Sequence, residues 1–96
     1  MLTLLLIPDA IRRQRLLAAC ARAGLEVQAA DPSDAGAAVF SMALDRVDVL
    51  VFDPEGLRRQ GLAMLANWRR MAPRSRLLLL SDNADEDLQR VQGALA

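Results

Sequence analysis

VDVLVFDPEG, residues 47–56, packs Val47, Val49, Leu50, Val51 and Phe52 into one short run, then stops on Asp53, Pro54, Glu55 and Gly56. A run this apolar and this rich in β-branched residues reads as a strand over 47–52 buried on both faces. Pro and Gly end it. Strands buried on both faces belong to parallel sheets with helices above and below, so the stretch points to an α/β fold. It also leaves Asp53 with two readings. It is a turn residue, or it is a carboxylate held at the mouth of a sheet, where α/β proteins place their ligands.

The flanking sequence repeats the pattern. TLLLI (3–7) and RLLLL (76–80) are two more continuous apolar strands, and LEVQA (25–29) alternates as an edge strand does. Helical stretches lie between them. DAIRRQRLLAACARAG (9–24) has Asp9 as its cap and Gly24 as its stop. Its apolar side is expected to hold Ile11, Leu16, Leu17, Cys20 and Ala23, with Arg12, Arg13, Arg15 and Arg22 in water. DPSDAGAAVFSMAL (31–44) starts with Asp31 and Pro32 in the favoured order. RRQGLAMLANWRRMA (58–72) is stopped by Pro73. NADEDLQRVQGALA (83–96) opens on Asn83 with Glu86 three residues on, the pattern of a capping box. The order is βαβαβαβα, one domain across 96 residues.

Composition narrows the function classes. Basic and acidic side chains number 12 each, so no clustered positive charge selects nucleic acid. Every basic residue is Arg; there is no Lys and no His, and with His goes the commonest general base and metal ligand. Cys20 is alone, which excludes an intrachain disulfide. LTLLLI (2–7) is too short to span a membrane and lacks a basic secretory start. A reduced, cytoplasmic protein is expected.

Pro8 and Asp9 follow the first strand, Asp53, Pro54 and Glu55 the third, and Ser81, Asp82 and Asn83 the fourth. Strand ends are solvated and helices need caps, which accounts for such residues without any chemistry. Their spacing, however, resembles the receiver domain of bacterial two-component response regulators, from residue 3 to about residue 93. In that family the third strand ends on the phospho-accepting Asp and a Gly follows eight residues later; here Gly61 follows Asp53 (61 − 53 = 8). GLAMLANWRRMAP matches the family's next helix through Gly61, Leu62, Met64, Leu65, Trp68, Arg69 and Pro73. Ser81 stands where a Thr or Ser ends the fourth strand, and RLLAACARAGLEV is similar to the first helix and second strand.

The resemblance implies a three-layer flavodoxin-like (CheY-like) parallel sheet in strand order 2-1-3-4, truncated before strand 5. It implies Asp53 as candidate phospho-acceptor and Ser81 as candidate switch hydroxyl. Asp9, Asp53 and Glu55 become candidate Mg²⁺ ligands, since magnesium takes oxygen donors and neutralises a phosphoryl group. Beyond accepting a phosphoryl group, no enzyme activity is expected.

Several positions depart from the family. Aligned without gaps from Gly24, the usual acidic pair falls on Ile7 and Pro8, and Asp9 is one place late; it reaches the site or it only caps the helix. The family's lysine is missing, and Arg has a different geometry. Asp82 stands in place of a small residue, and Leu57 in place of a Pro, while Pro54 directly follows Asp53. Glu55 is either an extra oxygen ligand or points to solvent. The expected function is therefore a degenerate receiver acting through protein contacts or dimerisation, with a regulatory protein or histidine kinase as partner and no nucleic acid or membrane. A phosphorylatable receiver is the alternative. The second is an unrelated flavodoxin-like domain or enzyme, although PDAIRRQ after the first strand lacks a Gly- or Ser/Thr-rich phosphate loop.

The chain either forms a shortened receiver over 1–96 or is the N-terminal part of a longer regulator. Without a fifth strand, RLLLL would be an uncovered edge. The helix after it is expected to cover one face without satisfying the edge's backbone groups, and a homodimer through the fourth strand or that helix follows.

Overall fold

The computed structural model describes residues 1–30, 46–53, 66, 69–70 and 74–96. The elements are β1 (Leu2–Leu6), α1 (Ala10–Arg22), β2 (Glu26–Ala30), β3 (Val47–Phe52), β4 (Arg76–Leu79) and α2 (Ala84–Leu95). The strands form one sheet in the order β2-β1-β3-β4, every neighbouring pair parallel. The helix expected over 31–44 lies outside the described residues. So does most of the one over 58–72, of which Ala66, Arg69 and Arg70 are described and are helical.

β1 is central, and all five of its residues are buried. Its side chains split the core by the two-residue strand period. Leu2, Leu4 and Leu6 join Val47, Leu50 and Phe52 on one face. Leu5 and Ile7 join Val49 and Val51 on the other, under Leu16 and Cys20 of α1 and Val91 of α2. A register shift between Leu2 and Thr3 inserts Asp48 into β3, so Val47 and Leu50 share a face. The Asp48 carboxylate then accepts the Leu2 N–H at 2.8 Å.

α1 starts on Asp9, whose Oδ1 accepts from the N–H groups of Ile11 and Arg12 at 2.9 and 3.1 Å. It ends in a Schellman turn: Gly24 has φ +79°, the Leu25 N–H bonds the Cys20 carbonyl, and the Gly24 N–H bonds that of Ala21. Its buried stripe is Leu16, Ala19 and Cys20. The expected apolar side was out of phase at its ends. Ile11 lies five residues, about 140° of helix turn, from Leu16, and it is exposed, as is Ala23. Arg12, four residues from Leu16, comes over the sheet instead and is half-buried.

α2 is capped by Asn83, whose Oδ1 accepts from Asp85 and Glu86. The box is not reciprocal, because the Asn83 N–H goes to Ser81 Oγ at 3.1 Å. The helix packs on the α1 face, Val91 sharing the core cluster of Leu16 and Cys20. The crossover from β1 to β2 uses that face while moving away from β3. A right-handed crossover to a further parallel strand beyond β4 would use the opposite face. α2 therefore lies on the face opposite to the one such a crossover would take.

Candidate functional site

The carboxyl ends of β1, β3 and β4 meet under the first turn of α1. Asp53 follows the last residue of β3; its N–H bonds the Leu6 carbonyl at 3.4 Å, and its side chain lies on the α1 face in phase with Val49 and Val51. The residue is 4% exposed, unlike a turn residue displayed to solvent. Arg12 reaches down from α1 with Nη1 3.6 Å from Asp53 Oδ1. Its Nη2 donates to the Ser81 carbonyl at 3.0 Å and to Asp82 Oδ1 at 3.2 Å. One guanidinium thus joins two carboxylates and a strand-end carbonyl. The neighbouring Arg13 donates to the carbonyls of Ile7 and Pro8 at 2.8 and 3.3 Å, closing the end of β1.

The candidates read from the sequence fall out unequally. Asp53 is where it was expected, at the carboxyl end of the third strand. Asp9 is exposed, with Oδ1 committed to capping α1. The Ser81 hydroxyl faces Asn83, donating to its carbonyl and accepting its N–H. Glu55 lies outside the described residues. Among the described residues no group of three His, Cys, Asp or Glu side chains is gathered as a metal centre would need. Asp82, whose side chain is fully exposed, shares the Arg12 cation with Asp53.

Two functional groups went unread in the sequence. Arg12 was assigned to solvent, although its position on the first turn after the central strand puts it above the strand ends. Asp87 was one acid among three, yet it stands four residues before Val91 on the buried stripe of α2 and is 3% exposed. Its oxygens accept the Ser81 N–H at 3.0 and 3.1 Å, and Arg90 pairs with it at 3.3 Å. Burial pushes the Cys20 thiol above its ordinary value, and the Asp87 carboxylate adds to that rise.

The class these observations define is an α/β domain with a four-stranded all-parallel sheet and a buried, arginine-paired carboxylate at its carboxyl edge. Comparison with protein-family models, curated proteins and solved structures gives no match for this chain. Among the described residues no helix is long and apolar enough to cross a membrane.

Proposed function

We propose that the chain is a receiver-like signalling domain of the three-layer flavodoxin-like (CheY-like) kind, degenerate at its acceptor site and working through protein contacts. The observation that carries this reading is Arg12 seated between Asp53 and Asp82. Direct phosphorylation of a carboxylate needs a divalent cation to neutralise the transferred group, with oxygen ligands it can share. Here a tethered guanidinium already neutralises Asp53. It brings N–H donors only and cannot hold the carboxylate and a phosphoryl oxygen in one coordination shell as a metal ion does. The side chains that would assist transfer are turned elsewhere, Asp9 to a helix cap and the Ser81 hydroxyl to Asn83. Ile11 supports a contact role: it is 65% exposed on the first turn of α1, an apolar side chain displayed on the side of the helix away from the sheet.

The test is modification of Asp53 by acetyl phosphate, followed by intact mass, and binding of beryllofluoride with Mg²⁺, followed by fluorine NMR. Neither adduct should form. Stoichiometric, Mg²⁺-dependent modification that disappears in Asp53→Asn would replace this reading with that of a phosphorylatable receiver served by a histidine kinase.

A further inference from the structure

β4 is an end strand of the sheet among the described residues, and three of the outward backbone groups along it and at its ends are held by side chains of its own chain. The bond from the Leu80 N–H to the Phe52 carbonyl, 2.7 Å, fixes the phase. Arg76, Leu78 and Leu80 turn their backbone groups toward β3, and Ser75, Leu77, Leu79 and Ser81 turn theirs away from it. Arg69 donates to the Ser75 carbonyl at 2.9 Å and Arg90 to the Leu79 carbonyl at 2.6 Å. The Ser81 N–H is taken by Asp87. This corrects the expectation that the last helix could only cover a face: two of these three groups are satisfied from α2, by an ion pair one of whose members is buried.

The edge is otherwise complementary to itself. In a two-fold antiparallel pair with Leu79 on the axis, Arg76 of one copy stands opposite Asp82 of the second. Leu79, 50% exposed, meets its own counterpart. That register needs the Leu79 carbonyl and the Ser81 N–H, the groups that Arg90 and Asp87 hold. Moving the axis to Leu77 needs the Ser75 carbonyl, which Arg69 holds. Natural sheets shield their edges against such pairing, and here the shield is made of side chains rather than of a bulge or a proline. We propose that α2 is a strap whose Asp87–Arg90 pair keeps the β4 edge from adding a second copy of this chain, and that its release opens two-fold antiparallel pairing of β4 about Leu79.

Sedimentation velocity over a concentration series compares the wild-type chain with Arg90→Gln and with Asp87→Asn/Arg90→Gln. Both variants should self-associate at least tenfold more tightly than wild type, and adding Arg76→Asp, which sets two carboxylates opposite each other, should reverse the gain. Amide exchange of β1 and β3 checks that each variant is folded. A tight dimer already in the wild type, a folded variant that stays as monomeric as wild type, or association indifferent to Arg76→Asp would each overturn the proposal. Should the double variant not fold, Arg90→Gln and the wild-type Ser81 amide carry the test. That amide should exchange slowly, and exchange at the rate of a free amide would refute the clip.

Discussion

Raising the pH isolates one thiol. The chain has no Lys, Tyr or His, and its guanidinium groups stay charged, so above the range of the terminal amine the side chain left to titrate is Cys20. Burial first, and then the Asp87 carboxylate, raise its folded pKa above the ordinary 9.0. The sign follows from the protons bound. Between the unfolded and folded values the native state keeps a proton that the unfolded chain has lost, so unfolding releases it and stability falls with pH. The thiol's contribution is complete below pH 9.0 and is lost as pH rises through the folded value. One proton gives a slope of at most about 1.4 kcal/mol per pH unit. Urea melts from pH 8 upward should therefore be level with respect to this group, then decline with a slope no steeper than that limit. Cys20→Ala should remove the decline while lowering stability by a pH-independent amount at the bottom of the range. An alkaline decline of equal slope in Cys20→Ala would refute the reasoning, as would rapid reaction of the native thiol with a disulfide reagent at pH 8.

Thr3 is fully buried and its hydroxyl has no hydrogen-bond partner among the described residues; Thr3→Val should raise the unfolding free energy by about 1–2 kcal/mol, read from the urea midpoint, because an unpaired buried hydroxyl costs about that much. Asp9→Ala should cost about 1 kcal/mol through the lost cap of α1, whereas Asp9→Asn should keep most of it, an outcome opposite to that of a metal ligand. Arg12→Gln should destabilise by about 1–3 kcal/mol by leaving the Asp53 carboxylate without its guanidinium, and the double-mutant cycle with Asp53→Asn should be non-additive; strict additivity would remove the pair from the account.

The sheet was legible because its strands are unbroken apolar runs, a pattern that tertiary context seldom overrides. VDVLVF carried β3 with its true ends, and Asp53 fell where the run stopped. The caps Asp9 and Asn83 and the stop at Gly24 were equally readable, since each answers a local need of the backbone. Helix phase was less so. Counting Ile11 as core followed its side chain, but the stripe is set by Leu16, Ala19 and Cys20, and Ile11 sits across the helix from it. The roles of Arg12, Asp87 and Arg90 were not legible at all, because each depends on which strand ends lie within reach of a long side chain. Such distances belong to the sheet order and not to any window of sequence. Asp87 comes nearest to an exception, for an acid in phase with Val91 has to find partners.

The central place of β1 sets the order in which the chain can be completed. Leu2–Leu6 is made before the other three strands of the described sheet, and it pairs with β2 as soon as α1 has folded back. Its other neighbour, β3, begins only at Val47, so one row of its backbone groups and the Leu2, Leu4 and Leu6 face await a distant segment. Closing that loop carries an entropic cost before any of the packing of Leu2, Leu4 and Leu6 on Val47, Leu50 and Phe52 is gained, which makes the meeting of β1 and β3 the natural bottleneck of folding. During synthesis the interval between the two strands leaves the unpaired side of β1 open to sticking, and it is the earlier-made of the two strands that waits.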